Sequence, residues 1–387
     1  MVVNTGSIDT FVARLVGATG TLQWVATTQG SRNEHVWELA LDARGQLAVA
    51  GYFSSPTTTI GSTTFYVAPY SGIGTRRGPK VRAFLAGLNN QTGVWQWAVA
   101  AGDTSRAEGG CGIGSMVFDD QNSLYVAGSF SSPTAAVGAT TLINVGGHSI
   151  AGYPFADFFV AKLDSSRQWT WVTGAGSTRN EGATVTLAGS GRLVLIGNIG
   201  AGMGSLQCGA TQLTPAAGST TDLFVAEMDP ASGAWLGAGL LGQQNTALVA
   251  GPFTDAAGRV SLIGRSWDPL IQLSPFVLPA VSRPAYFLAR LNRTPLAVPA
   301  QVPEPVGLSV WPNPAPRAGA VWVSGLRPGQ RAQVLDLLGR VVVRGQMPVS
   351  GPLRLGLPAA LAAGTYLVRG VASPSAPATA VRRLVVE

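Results

Sequence analysis

The sequence predicts an all-β protein: a β-propeller of about four four-stranded blades followed by a small immunoglobulin-like β-sandwich. Three observations carry the prediction. One strand-like phrase recurs five times, a hairpin-turn pattern recurs four times between its copies, and the composition changes after Leu291. Glycine (50) and proline (25) are abundant without a G-X-Y period, which excludes collagen and leaves a turn-rich β chain.

The recurring phrase reads Asp9-Thr-Phe-Val-Ala-Arg-Leu15, Arg82-Ala-Phe-Leu-Ala-Gly-Leu88, Asp157-Phe-Phe-Val-Ala-Lys-Leu163, Asp222-Leu-Phe-Val-Ala-Glu-Met228 and Ala285-Tyr-Phe-Leu-Ala-Arg-Leu291. Its phenylalanines, Phe11, Phe84, Phe159, Phe224 and Phe287, are 73, 75, 65 and 63 residues apart. Apolar and polar positions alternate toward the end of each copy, as in a strand. Trp24, Trp97, Trp171 and Trp235 mark a second strand soon after each phrase.

A turn pattern follows. Leu39-Ala-Leu-Asp-Ala-Arg-Gly-Gln-Leu-Ala-Val-Ala-Gly51 and Met116-Val-Phe-Asp-Asp-Gln-Asn-Ser-Leu-Tyr-Val-Ala-Gly128 are its clearest copies, with weaker ones ending at Gly197 and Gly264. Six residues before each terminal glycine stands Gly45, Asn122, Gly191 or Gly258, preceded three residues earlier by Asp42, Asp119, Ala188 or Asp255. Gly and Asn tolerate positive φ and Asp bonds the backbone two residues on, so these positions predict hairpin turns. The terminal glycines predict a strand end where another backbone passes closely. Each repeat then reads as the Trp strand, the strand entering the Asp turn, the strand ending in glycine and the Phe phrase. Four-stranded sheets at this period are the signature of propeller blades. Over residues 9–291 the chain resembles a bacterial β-propeller repeat family.

From Asn292 to Pro305 four prolines favour an extended spacer, which divides the chain into 1–291, 292–305 and 306–387. The last segment predicts seven short strands: Gly307–Trp311, Ala320–Ser324, Ala332–Leu337, Arg340–Gly345, Leu353–Leu357, Gly364–Gly370 and Ala380–Val386. Its phrases are Val310-Trp-Pro-Asn-Pro-Ala315, Val334-Leu-Asp-Leu-Leu-Gly-Arg-Val341, Leu361-Ala-Ala-Gly-Thr-Tyr-Leu-Val-Arg369 and Val381-Arg-Arg-Leu-Val-Val386. In that order they resemble the type A C-terminal sorting domain of the type IX secretion system of Bacteroidetes. The resemblance implies export across the outer membrane, reading of the module by the translocon and removal by a sortase-like protease. It singles out Pro312, Asn313, Pro314, Gly339, Arg340, Gly364, Tyr366 and Val368 as the sorting motif. The implied location is secreted or at the outer-membrane cell surface. Met1–Asp9 has neither the charged n-region nor the apolar h-region of a leader, and the chain opens on a Phe phrase; both point to a truncated N-terminus.

The net charge of +7 does not indicate nucleic acid, because residues 1–305 balance 17 Arg and Lys with 17 Asp and Glu. The excess lies in 306–387, where nine Arg face Asp336 and Glu387. No apolar run reaches the roughly 18 residues of a membrane helix. Cys111 and Cys208 give no zinc or redox spacing, and only His35 and His148 could serve a triad or a metal, so no cofactor, metal or catalytic residue is assigned. Gly72-Ile-Gly-Thr-Arg-Arg-Gly78 is followed by no helix pattern that could hold a phosphate. Arg76, Arg77, Lys80 and Arg82 read as a solvated basic loop.

One polar pair repeats: Arg32-x-Glu34, Arg106-x-Glu108 and Arg179-x-Glu181, eight or nine residues after the blade tryptophans. Residues i and i+2 of a strand share a face, so these pairs are the candidate ligand-binding residues. The plainer reading is a repeated ion pair stitching loops or neighbouring blades. The sequence thus describes a non-enzymatic, exported binding or adhesion protein with a glycan or protein ligand. A carbohydrate-active lyase or glycosidase on the same scaffold, and a purely structural surface protein, are the competing readings.

Overall fold

The computed structural model describes residues 6–67, 81–102, 109–146, 155–200, 204–243, 245–268, 270–273, 276–279, 284–291, 308–326, 329–336, 339–348, 352–371 and 382–387. Among them there is no helix, and all regular structure is β. The chain divides into two compact units, one of Met1–Ile271 with Pro279–Val298, the other of Gln272–Leu278 with Pro299–Glu387.

In the first unit, three sheets contain the full repeat in one strand order. The turn strand (Glu34–Leu41, Cys111–Phe118, Glu181–Leu187) pairs with the glycine strand (Leu47–Phe53, Leu124–Phe130, Leu193–Gly200). The glycine strand pairs with the Phe strand (Arg82–Leu88, Asp157–Leu163, Thr221–Met228), which pairs with the Trp strand (Trp95–Ala101, Trp169–Ala175, Trp235–Gln243). All of these pairings are antiparallel. A fourth sheet holds Thr246–Thr254, Val260–Ser266 and Ala285–Arg290, with no Trp strand among the described residues; Phe11–Leu15 and Leu22–Thr27 form a two-stranded sheet of Phe and Trp strands. Turn strands of successive complete sheets lie side by side, and the series continues to Thr246–Thr254. This is the blade arrangement of a propeller.

The order corrects the sequence reading in one respect. The Trp strand closes the sheet of the preceding Phe strand and does not open the next one. The reason is the connection: Asn89–Gly93, Asp164–Gln168 and Asp229–Gly233 are tight turns, held by Gly93 N–H to the Asn89 carbonyl (2.8 Å), Gln168 N–H to Asp164 Oδ1 (2.9 Å) and Gly233 N–H to the Asp229 carbonyl (2.8 Å). A tight turn forces its flanking strands to pair with each other.

A further hairpin, unforeseen from sequence, is inserted between each glycine strand and its Phe strand: Thr57–Ile60 with Thr63–Tyr66, Thr134–Val137 with Thr140–Ile143, and Leu206–Cys208 with Thr211–Leu213. Its turn glycines, Gly61, Gly138 and Gly209, rest against Trp95, Trp169 and Trp235. Leu270–Leu273 and Phe276–Pro279 occupy the same place in the fourth repeat.

Glycine fixes the centre of the three complete sheets and of the fourth. Gly51, Gly128, Gly197 and Gly264 face Phe84, Phe159, Phe224 and Phe287 in register. They lie inside their strands and not at the ends, which corrects the expected strand boundary; the expected close approach is present. A Cβ on Gly197 would lie 2.1 Å from the Gly182 carbonyl oxygen and 2.6 Å from the Phe224 ring. Phe84, Phe159 and Phe224 are fully buried.

The Asp turns have the conformation read from sequence. Gly45, Asn122, Gly191 and Gly258 have φ of 75°, 60°, 75° and 73°. Asp42 Oδ1 accepts from the N–H groups of Arg44 (2.9 Å) and Gln46 (2.8 Å), and Asp119 and Asp255 do the same in their turns. Tryptophans tie neighbouring sheets together. The indole N–H of Trp24 donates to the Asn90 carbonyl (2.9 Å) and that of Trp171 to the Pro230 carbonyl (3.1 Å), each in the turn of the next sheet. In the sheet between, the Arg167 guanidinium stacks 4.7 Å from the Trp97 ring.

In the second unit, all seven expected strands are present within one or two residues at their ends. Ser309–Trp311, Ala320–Ser324 and Leu353–Gly356 form one sheet; Val341–Gln346, Arg331–Leu335, Gly364–Gly370 and Arg382–Val386 form the other. Their shared core includes Leu308, Val321, Val323, Val334, Leu355, Tyr366, Val368 and Leu384.

Two substitutions separate the two uses of glycine. Gly197→Ala drives a Cβ into backbone and is expected to cost about 3 kcal/mol, the upper range for overpacking. Gly45→Ala meets open space and is expected to cost only the left-handed conformation, about 1–2 kcal/mol. Urea unfolding of both variants measures the difference; equal costs contradict this account.

Candidate functional site

Two of the Arg-x-Glu segments, those of Arg32 and Arg179, lie in the loops that lead into the turn strands. Glu34 and Glu181 are the first residues of those strands and both are buried. Their N–H groups donate to the carbonyls of Ile8 and Ala156 (2.8 Å each), just ahead of the Phe strand of the preceding sheet. Glu34 Oε1 accepts from Ser55 Oγ (2.5 Å) and Thr58 Oγ1 (3.2 Å). Glu181 accepts from the Ser177 N–H (3.0 Å) and from the Ser177 hydroxyl.

The arginines point elsewhere. Arg32 is exposed, and its backbone N–H donates to Ser55 Oγ (2.7 Å). The Arg179 guanidinium lies 5.3 Å from the centre of the Phe155 ring. Neither Arg32 with Glu34 nor Arg179 with Glu181 forms an ion pair. Arg32 sits in a bend and not in a strand, so the rule that i and i+2 share a face does not apply. The structure therefore presents Arg32 outward and holds both glutamates inside. Arg106 and Glu108, like the basic residues Arg76, Arg77 and Lys80, lie outside the described residues.

The carboxylates carry unusual electrostatics. Burial pushes Asp157, the first residue of its Phe strand, up to about 6, although its Oδ2 accepts from the Val145 N–H (2.7 Å). Burial raises Glu181 to about 7, and the neighbouring Asp157 charge adds to this. Glu34 is raised for the same reason, with Asp9 as its acidic neighbour. Cys111 and Cys208 are free, buried and pushed up to about 12, so both are thiols.

A second group escaped the sequence reading. His35 stacks on Tyr52 (ring centroids 4.8 Å, 24°), and Trp37 meets the same Tyr52 edge-on (4.8 Å, 67°). Trp37 is 54% exposed. It stands where a β-bulge breaks the register between Val36 and Glu38, and its ring lies against Gly112 and Gly114 of the next turn strand. The next sheet has its own bulge at Gly114. Bulges re-aim side chains, and only the first complete sheet puts an aromatic there. The sequence signal was the interruption of strand alternation by Trp37 inside an otherwise regular repeat.

The sorting-type residues are spread over the C-terminal sandwich, with Asn313 at its Arg382–Val386 edge and Gly339 and Arg340 at the turn into the opposite edge strand, Val341–Gln346. Asn313, between Pro312 and Pro314, donates through Nδ2 to the Arg383 carbonyl (2.7 Å) and accepts at Oδ1 from the Val385 N–H (2.8 Å). The adjoining Ala315 N–H donates to the Val385 carbonyl (2.7 Å). Gly339 (φ 81°) and Arg340 close a turn on Asp336, with Arg340 Nε 2.6 Å from Asp336 Oδ2. Gly364 opens the strand carrying Tyr366 and Val368; Tyr366 donates to the Ala362 carbonyl (2.8 Å) and Val368 is fully buried opposite Val334.

No protein-family model matches this chain, and no curated protein matches it. Among solved structures it is similar to PorZ, a surface component of the type IX secretion system of Porphyromonas gingivalis (13% identity, TM-score 0.27, covering 99% of this chain and 42% of PorZ). It is also similar to the Hadza microbial sialidase Hz136 (11% identity, TM-score 0.34, 90% of this chain and 64% of the sialidase). A third is the polysaccharide lyase Uly1 (10% identity, TM-score 0.34, 98% and 85%). The chain thus spans less than two thirds of the first two. Scores this low say nothing about its ligand or chemistry.

The buried acids make stability depend on pH. Asp157 and Glu181 are raised in the folded chain, so their protonated forms favour folding; that contribution is whole below about pH 4 and is lost as pH rises through about 6 and then about 7. The thermal midpoint is expected to fall by about 5 °C between pH 5 and pH 8, about 2 kcal/mol. Glu181→Gln should flatten much of that slope; a midpoint that rises over the same interval contradicts the assignment.

Proposed function

We propose that this is an exported cell-surface binding protein, a β-propeller that engages a glycan or protein ligand, with residues 306–387 as a type IX secretion sorting module after a 292–305 spacer. The observation that carries the export reading is the clamp of Asn313 on Arg383 and Val385. Two phrases about 70 residues apart in sequence, both of the sorting type, form one contiguous edge that a translocon could read as a unit. The sortase-like protease would act at the spacer.

The binding reading rests on the exposed corner of Trp37 and Tyr52, supported by His35. An aromatic face covers the C–H face of a pyranose ring or an apolar side chain and leaves the ligand's polar edge in water. Arg32, exposed one short loop away in sequence, would supply a donor to that edge, and Arg179 holds the equivalent place two sheets on. The buried Glu34 and Glu181 position these loops.

Two measurements test this. With a leader in front, in a Bacteroidetes host, Asn313→Ala should lower surface or medium delivery at least tenfold, as should deletion of 381–387, while the first unit melts unchanged. Loss of two hydrogen bonds is worth about 1–2 kcal/mol, enough to loosen the clamp. Delivery equal to that of the unaltered chain overturns the sorting assignment. On a glycan array, Trp37→Ala should lose the signal of the unaltered chain; an unchanged pattern removes the aromatic corner from the site.

A further inference from the structure

Strand alternation divides the three-stranded sheet of the second unit cleanly. Val321, Val323, Leu353 and Leu355 point into the sandwich core and are buried. The alternate residues point outward, and there the chain sets two indoles and a guanidinium in one row. Trp311 stands opposite Trp322, and Trp322 opposite Arg354, so the row crosses all three strands. A solvated sheet face is ordinarily polar, yet Trp311 is 43% exposed and Trp322 38%. Adjacent strands lie about 4.8 Å apart, which makes the row about 10 Å long. The flanking positions keep it open. Along its own strand Trp322 has Ala320 and Ser324 as neighbours on this face, and beyond Arg354 comes Gly356, where a Cβ would meet nothing within 4 Å. Arg354 is exposed and has no ion-pair partner among the described residues. The outward positions of the three strands hold no Asp or Glu.

We propose that this face binds an acidic polysaccharide, the two indoles carrying the C–H faces of its sugar rings and Arg354 taking a uronate carboxylate. Indoles give broad apolar area at little cost in rotamer freedom, and two in one row suit a flat, extended ligand. The occupant follows from charge. Arg354 is the one charged group in the row, and its planar fork matches a carboxylate through two parallel N–H bonds. The surrounding segment 306–387 sets nine Arg against Asp336 and Glu387, and Asp336 is already engaged by Arg340. A nucleic-acid strand needs a cationic groove that follows its phosphates, and Ala320, Ser324 and Gly356 provide none. The row is separate from the Trp37 corner, and Trp322 and Arg354 lie outside the sorting phrases. The inference therefore stands apart from both earlier readings.

Isothermal calorimetry on the full chain tests it, with oligogalacturonate and oligoguluronate hexamers as probes and maltohexaose as the neutral control. The unaltered chain should bind at least one uronate, and more tightly than maltohexaose. Trp322→Ala should raise that Kd roughly tenfold, and Trp322→Phe, which keeps an aromatic face, should restore most of the loss. Arg354→Gln should remove the preference for the uronate over maltohexaose. Because Arg354 is exposed, this variant keeps the test decisive should Trp322→Ala unfold the sandwich. Light scattering on the same samples reports a different occupant: a dimer that Trp322→Ala returns to monomer means that a second copy covers the face. That result, the absence of heat with both uronates, equal affinity for maltohexaose, or an Arg354→Gln chain that keeps its uronate preference would each overturn the proposal.

Discussion

The pairing of a glycine with a phenylalanine across two central strands is the constraint on which the first unit depends. At Gly128, Gly197 and Gly264 the absent side chain leaves room for the ring of Phe159, Phe224 or Phe287 to lie flat over the backbone. The ring then fills the gap to the neighbouring sheet, so one contact fixes strand register and inter-sheet spacing together. A slip of one residue would turn every phrase phenylalanine to the opposite face. The Asp turns, inserted hairpins and tryptophan anchors are arranged around this pair.

The all-β class, the five phrases and the four left-handed turn positions were legible because each depends on local chemistry: alternation, positive φ, and an Asp side chain that caps its own turn. The blade boundary was not, because the repeat is cyclic along the chain and any of four strands could begin it. The deciding feature is the short turn between the Phe and Trp strands, which has a left-handed glycine in three copies (Gly20, Gly93 and Gly233) and Arg167 (φ 66°) in the fourth. The inserted hairpins escaped notice because their Thr-rich strands lack strong apolar alternation. At the candidate site the repetition of Arg-x-Glu was legible, but its inward and outward split was not. That split is set by a bend at Arg32 and by hydroxyl partners, Ser55 and Thr58, that lie more than 20 residues away.

The C-terminal unit uses the same turn chemistry. Asp336 caps the turn at Gly339 as Asp42 does at Gly45, and Arg340 adds an ion pair to the same carboxylate as Arg259 does to Asp255 in the first unit. Such a pair contributes little to stability in water. Order at the closing strand comes instead from Asn313, whose amide serves as both donor and acceptor and so fits only one register of Arg382–Val386.

The four repeat strands of each complete sheet are drawn from one unbroken stretch: Glu34–Ala101, Cys111–Ala175 and Glu181–Gln243. Had the Trp strand opened the following sheet, the boundary between units would fall inside a tight turn. It falls instead at the crossovers. A gene segment copied or lost between two crossovers would therefore add or remove a whole sheet without breaking a backbone ladder, and the glycine–phenylalanine pair would travel with it. The unit of folding and the unit of duplication coincide, which makes sheet number an easily varied character in the history of such a chain.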